Sequence, residues 1–317
     1  MENQQTIARP IEIEGIGLHT GVKVHVRLLP AAAATGVVFM RTDLAGFLIE
    51  AKAANVERVS YATTLMKKGV LISTIEHLMS ALAGEGIDNV VVEIDNLELP
   101  ILDGSARPFV EALGQAGTRP LRARRKFLKV MKPVEISEGS KRIAVYPAEK
   151  FRVTCRIAFS HPKIGEQSVE FDPETNDYKN EIAPARTFGF LEEVEMLQKN
   201  GLVRGGSLEN AVVLTRDGIL NPEGVRFPDE FCRHKLLDLI GDLSLLGHPL
   251  VGHVVAERAG HAMHVALVRR LLSEKGATKL INASAAKAGE PARAERAAET
   301  GAVEAMRRDR TGFTLAS

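Results

Sequence analysis

The sequence predicts an α+β fold in two domains, and three observations carry that prediction. Short β-branched runs recur in both halves of the chain, and each half also holds a pair of helical patterns. The 317 residues are 45% hydrophobic and 26% charged, the balance of a globular chain long enough to bury a core in each half. In the first half, VKVHVRLL (22–29) sets Val22, Val24, Val26 and Leu28 against Lys23, His25 and Arg27, the two-residue period of a half-buried strand. GVVFM (36–40) and NVVVEI (89–94) are strand-like in composition. STIEHLMSALAGEG (73–86) reads as a helix that Ser73 or Thr74 can cap and Gly84 or Gly86 can stop. RPFVEALGQAG (107–117) reads as a second, with Pro108 in its first turn.

RPLRARRKFLKV (119–130) is dense in cations but has no interleaved aromatics, so it reads as a solvated linker between domains rather than a nucleic-acid patch. Strand patterns resume at 141–149 and 151–159, and helical patterns follow at 188–201 and 231–243. The segments 212–221 and 252–272 complete the second half. From residue 276 the chain turns Ala-rich and mixed in charge, the composition of a mobile tail. The expected units are therefore 1–120, 121–275 and a tail of 276–317. Similarity between the halves is too weak to establish an internal repeat.

Composition also bounds function. A net charge of +1 gives no global attraction to nucleic acid or an anionic membrane. Two cysteines make no disulfide framework. The N-terminus lacks a signal-peptide layout, and no apolar run approaches the roughly 20 residues that span a bilayer. A cytoplasmic monomer is expected.

The chemistry concentrates in FCRHKLLDLIGDL (231–243), where His234, Asp238 and Asp242 stand four residues apart on a mostly apolar helix. That spacing puts all three on one face, so His234 and Asp238 can address one divalent cation while Asp242 reaches a neighbouring group. A solvated His–Asp pair is the plainer alternative, made less attractive by the cost of burying an unpaired carboxylate. Cys232 sits two residues from His234, roughly 200° around the helix, and reads as a core residue. His77 is the best third ligand, with Glu76 beside it as a base for an activated water; a core histidine next to a surface glutamate is the competing reading. His261, in AGHAMH, is a candidate acid oriented by Asp242, and His264 is assigned to the surface of the following helix. His19, in a Gly-rich turn, suits a ligand contact or a structural role equally.

Taken together, GIGLHTG (15–21), STIEHLMSALAGEGIDNVVVEI (73–94), LPILDGSARPFV (99–110), ARTFGF (185–190), GLVRGGSLENAVV (201–213), FCRHKLLDLIGDL and GHAMH closely resemble the UDP-3-O-acyl-N-acetylglucosamine deacetylases, from about residue 5 to about 273. The resemblance implies an α+β fold of two similar domains, each a sheet-and-helix layer, packed with the helices between the sheets and the active site at the domain interface. It also implies a zinc amidase acting in the committed step of lipid A synthesis in Gram-negative bacteria. Residue by residue it implies His77, His234 and Asp238 as ligands for Zn2+, with Fe2+ also suited to such a site. Glu76 matches the general base, Asp242 and His261 the paired aspartate and histidine, Lys235 and Thr187 polar groups near the reacting amide, and Phe188 a residue packing on the sugar. With the resemblance, Leu18, Phe190, Val194, Leu197 and Val203 are expected to line the acyl chain's passage, Phe190, Val194 and Leu197 forming a helical stripe. Lys235 and Arg258 are expected near the diphosphate. Tyr61, in RVSYATTLM (58–66), is a departure placed at the expected mouth. The alternatives are a metal hydrolase of another acylated amino sugar and a non-catalytic acyl-sugar binding module; the second needs neither a base nor an open metal position.

Overall fold

The alternation at 22–29 is realised as the strand Lys23–Pro30, with Val24, Val26 and Leu28 buried. The strand lies second in a five-stranded sheet ordered Ile11–Ile16, Lys23–Pro30, Val90–Ile94, Val37–Arg41, Phe47–Glu50. Every pair in it is antiparallel except Val37–Arg41 with Val90–Ile94. The structure is a computed structural model that describes residues 2–283, and its fold is α+β, as the sequence predicts. A seven-stranded sheet in the second half is organised around Leu250–Glu257, which pairs antiparallel with Lys141–Tyr146 and parallel with Phe151–Phe159.

Helices α1 (Glu76–Gly84), α2 (Arg107–Ala116), α3 (Leu191–Lys199), α4 (Glu230–Leu243) and α5 (His261–Ser273) supply the rest of the framework. α4 packs on Phe151–Phe159 and Gly165–Phe171, α5 on Val134–Glu138 and Lys141–Tyr146, and α2 on Ile11–Ile16 and α1. α1 runs along α4, so the helical layer has a sheet on either side. The sequence dictates this for α4: Phe231, Leu236, Leu237, Leu239, Ile240 and Leu243 are all buried, and a helix apolar around most of its girth must be covered around most of its girth.

Four expectations change. Residues 119–130 are not a linker: Thr118–Arg124 pairs with Asn3–Ile7, and Lys126–Val130 joins the seven-stranded sheet. Arg119, Arg122 and Arg124 are exposed on a surface strand, which needs no apolar alternation on its solvent side. The tail's first residues are ordered too, since Thr278–Asn282 pairs antiparallel with Lys126–Val130; 284–317 lie outside the described residues. Neither Ser73 nor Thr74 caps α1, because the Ser73 hydroxyl bonds that of Thr64 at 2.8 Å and the Thr74 hydroxyl donates to Glu98 at 3.1 Å. The helical pattern at 188–201 begins late: Phe188–Phe190 pairs with Val212–Leu214 as a strand, and only Leu191–Lys199 is helical.

Candidate active site

The site begins where α1 and α4 touch. A Cβ on Gly241 would run into the Glu76 carbonyl, so glycine is what lets the two helix backbones approach this closely. The approach brings the first turn of α1 onto the face of α4 that carries His234 and Asp238. Asp238 Oδ1 lies 3.4 Å from His234 Nε2 and 3.7 Å from His77 Nε2. The two imidazoles stand edge to face, with centroids 5.1 Å apart.

The donor set fits a divalent cation. His234 Nδ1 donates to the Ala185 carbonyl at 3.1 Å, which leaves the Nε2 lone pair facing Asp238. Asp238 Oδ2 accepts from Lys235 Nζ at 2.9 Å, while Oδ1 is buried and has no hydrogen-bond partner. An unpaired carboxylate oxygen in such a place is costly, and His234 Nε2, left as a lone pair, has no proton for it. Burial, reinforced by His234, lowers the His77 pKa to about 3, and burial also lowers that of His234. Burial alone would raise Asp238, but His234, Lys235 and the other imidazoles outweigh it and hold the carboxyl well below the usual carboxylate range. Two imidazoles and one carboxylate converging on a point can hold a divalent cation.

One turn along α4, Asp242 has a different surrounding. Its Oδ2 accepts from His261 Nδ1 at 2.7 Å and from His264 Nδ1 at 2.9 Å, and its Oδ1 accepts from the Thr63 hydroxyl at 2.6 Å. Burial opposes a charge on His261, but Asp242, Asp238 and Glu76 together raise its pKa to about 9. Glu76 is buried and accepts the Thr63 N–H at 3.0 Å. Its pKa rises to about 7 through burial, with His261 opposing. At neutral pH Glu76 is therefore near the middle of its titration, while His261 stays an imidazolium.

A cavity of about 380 Å3 opens over these groups. It is lined by Glu76, His77, His234, Asp238 and His261, and by the expected Thr187, Phe188, Lys235 and Leu18. Tyr61 is at this cavity as expected and is 61% exposed. Thr187 is placed by its N–H, which donates to the Gly104 carbonyl at 2.7 Å. The structure does not bring Phe190, Val194, Leu197, Val203 or Arg258 to the lining of this cavity. Phe190 precedes α3, with its ring against Phe159 and His161. Val203 is buried in a left-handed turn, and Arg258 is tied to the sheet edge through its N–H to the Arg156 carbonyl. Cys232 is a core residue whose thiol donates to the Cys155 carbonyl. The N–H groups of His19 and Thr20 each donate to Glu98 at 2.8 Å, which gives that turn a structural task.

His264 is a correction: it is buried against Asp242 rather than on a helix surface. Its three-residue step from His261 puts both rings on one helix face, a signal the sequence did contain. Thr63 carried no such signal, lying 179 residues from the carboxylate it bonds.

Comparison with known proteins covers the stretch that holds these residues. The family model described as UDP-3-O-acyl N-acetylglycosamine deacetylase matches residues 4–273. A protein of Solibacter usitatus named UDP-3-O-acyl-N-acetylglucosamine deacetylase is 53% identical over 281 residues, covering 89% of this chain and 95% of its own. Proteins of the same name from Myxococcus xanthus and Phenylobacterium zucineum are each 48% identical, covering 89% and 87% of this chain and 90% and 96% of their own lengths.

Proposed function

The chain belongs to the UDP-3-O-acyl N-acetylglycosamine deacetylase family, and on that premise we propose that it hydrolyses the acetamide of UDP-3-O-acyl-N-acetylglucosamine, the committed step of lipid A synthesis. The observation that carries the reading is Asp238 Oδ1, a buried carboxylate oxygen with no proton donor, facing two imidazoles within 3.7 Å. His77, His234 and Asp238 would hold the ion, zinc or iron(II). When bound, such an ion supplies Lewis acidity and brings the pKa of a water down towards ~7.

Glu76 takes the proton from the attacking water as the new C–O bond forms. The Thr187 hydroxyl and the cationic His261 stabilise the charge that develops on the amide oxygen, in a site where fixed dipoles act strongly. His261 then donates to the departing nitrogen as the C–N bond breaks, giving a free amine and acetic acid, which loses its proton to solvent as acetate, while the proton held by Glu76 returns to His261. Asp242 keeps that imidazole charged and oriented. Lys235 balances the Asp238 carboxylate and lies near the diphosphate, with Arg258 as a further cation. Phe188 packs on the sugar, and Leu18, Phe190, Val194, Leu197 and Val203 serve the acyl chain. The same reading takes 1–120 and 121–275 as two domains that each contribute part of the site, in a cytoplasmic monomer. Among the described residues, no helix is long and apolar enough to cross a membrane.

The test is acetate release from the UDP-linked, 3-O-acylated sugar and from its non-acylated analogue, by protein of measured metal content. The expected result is about one ion per chain and turnover of the acylated sugar alone. Protein that carries the ion but leaves that sugar intact would overturn the substrate assignment.

A further inference from the structure

The base and the acid of the proposed reaction come from different helices, Glu76 from α1 and His261 from α5, yet both must serve one amide. Thr63 touches both. It is fully buried, at 0% exposure, just before the strand Thr64–Lys67. Its N–H donates to Glu76 Oε2 at 3.0 Å. Its hydroxyl donates to Asp242 Oδ1 at 2.6 Å and lies 3.2 Å from His261 Nδ1. Thr63 is not among the residues lining the cavity, so it acts through its neighbours rather than on substrate.

We propose that Thr63 is a positioning residue that holds the proton acceptor and the proton donor of this site in one frame. The proposal rests on the deacetylase reading. A carboxylate bonded on one oxygen only can rotate; with the Thr63 hydroxyl on Oδ1 and both imidazole Nδ1 atoms on Oδ2, Asp242 is fixed on both sides. The His261 ring inherits that orientation, with Nε2 3.8 Å from Asp238 Oδ2, on the side of the candidate metal ligands. The backbone bond to Glu76 comes from the same residue, so base and acid keep a constant separation. Small misplacements of such groups are expensive in rate.

The experiment compares Thr63→Val, which keeps the shape and loses the donor, with Thr63→Ser, which keeps the donor and loses a methyl, each loaded with metal. The readouts are kcat and KM separately, metal content, and the downfield proton NMR signals of the imidazole N–H groups bonded to Asp242. Thr63→Val is expected to bind metal as wild type does, to hold KM within about 2-fold, and to lose roughly 10- to 100-fold in kcat, the scale of outer hydrogen-bond partners. Its imidazole signals shift. Thr63→Ser keeps the wild-type signals and most of kcat. A Thr63→Val protein with wild-type kcat and unshifted signals would overturn the proposal, as would a Thr63→Ser protein that fails as badly as the valine variant. If the valine variant does not fold, Thr63→Ala replaces it under the same criteria. If wild type leaves the acylated sugar intact, the functional reading falls and the NMR comparison still decides whether Thr63 orients Asp242 and His261.

Discussion

Two His–Asp clusters lie one turn apart along α4, and they are built from the same residue types. In each, the candidate ligand atoms fall within 4.8 Å of one another. Around Asp238, the imidazoles are held neutral and one carboxylate oxygen has no donor. Around Asp242, both carboxylate oxygens are occupied by three donors, and one imidazole is held charged to about 9. Proximity does not separate a metal site from a proton-transfer site; hydrogen-bond satisfaction does. An oxygen left without a proton is open to a cation, and an oxygen already bonded to N–H groups is not.

The comparison breaks most visibly at the base, which belongs to neither cluster. Glu76→Gln keeps the shape of the base and removes its proton affinity, so kcat should fall by about 10²- to 10⁴-fold while metal content stays at the wild-type level. Loss of the ion in this variant would mean that Glu76 belongs to the Asp238 cluster. A smaller effect concerns pH. The folded pKa of His261 is raised above its ordinary 6.5 to about 9, so its proton is present through neutral pH and lost as pH climbs through about 9. Activity should carry an alkaline limb there. Asp242→Asn removes the chief raising charge and lets burial prevail, so the limb should move to lower pH by roughly 1–3 units. A limb that stays in place would assign it to another group. The smallest effect belongs to His264. Its Nδ1–H is one of two donors on Asp242 Oδ2, and asparagine can place an N–H nearby. His264→Asn should stay within about 3-fold of wild-type kcat, and His264→Leu, which leaves the oxygen one donor short, should fall further.

Legibility in the sequence followed locality. His234, Asp238 and Asp242 could be read because helix geometry alone puts them on one face, whereas Glu76 beside His77 fits a core histidine next to a surface glutamate equally well until the longer motifs are matched to a family. Thr63 could not be read, since its hydroxyl meets Asp242 only after the whole chain has folded between them. Ser73 and Thr74 looked like caps because they precede a helix, but tertiary partners took their hydroxyls first. The strands within 118–130 were hidden by their own exposure: a surface strand can place arginines where a core strand needs valines. Phe190 was assigned to a helical stripe, yet the three residues it ends pair with Val212–Leu214 as a strand, a long-range preference invisible in the local period.

The most direct test of the division between the clusters is the metal content of His234→Ala beside that of His261→Ala, each purified in the presence of zinc and measured against wild type. Removal of His234 takes a ligand from the Asp238 cluster, and removal of His261 takes a donor from the Asp242 cluster. His234→Ala is expected to lose the ion and activity together, while His261→Ala keeps about one ion per chain and loses activity. A His261→Ala protein that loses the ion as fully as His234→Ala would mean that the two clusters do not divide metal binding from proton transfer.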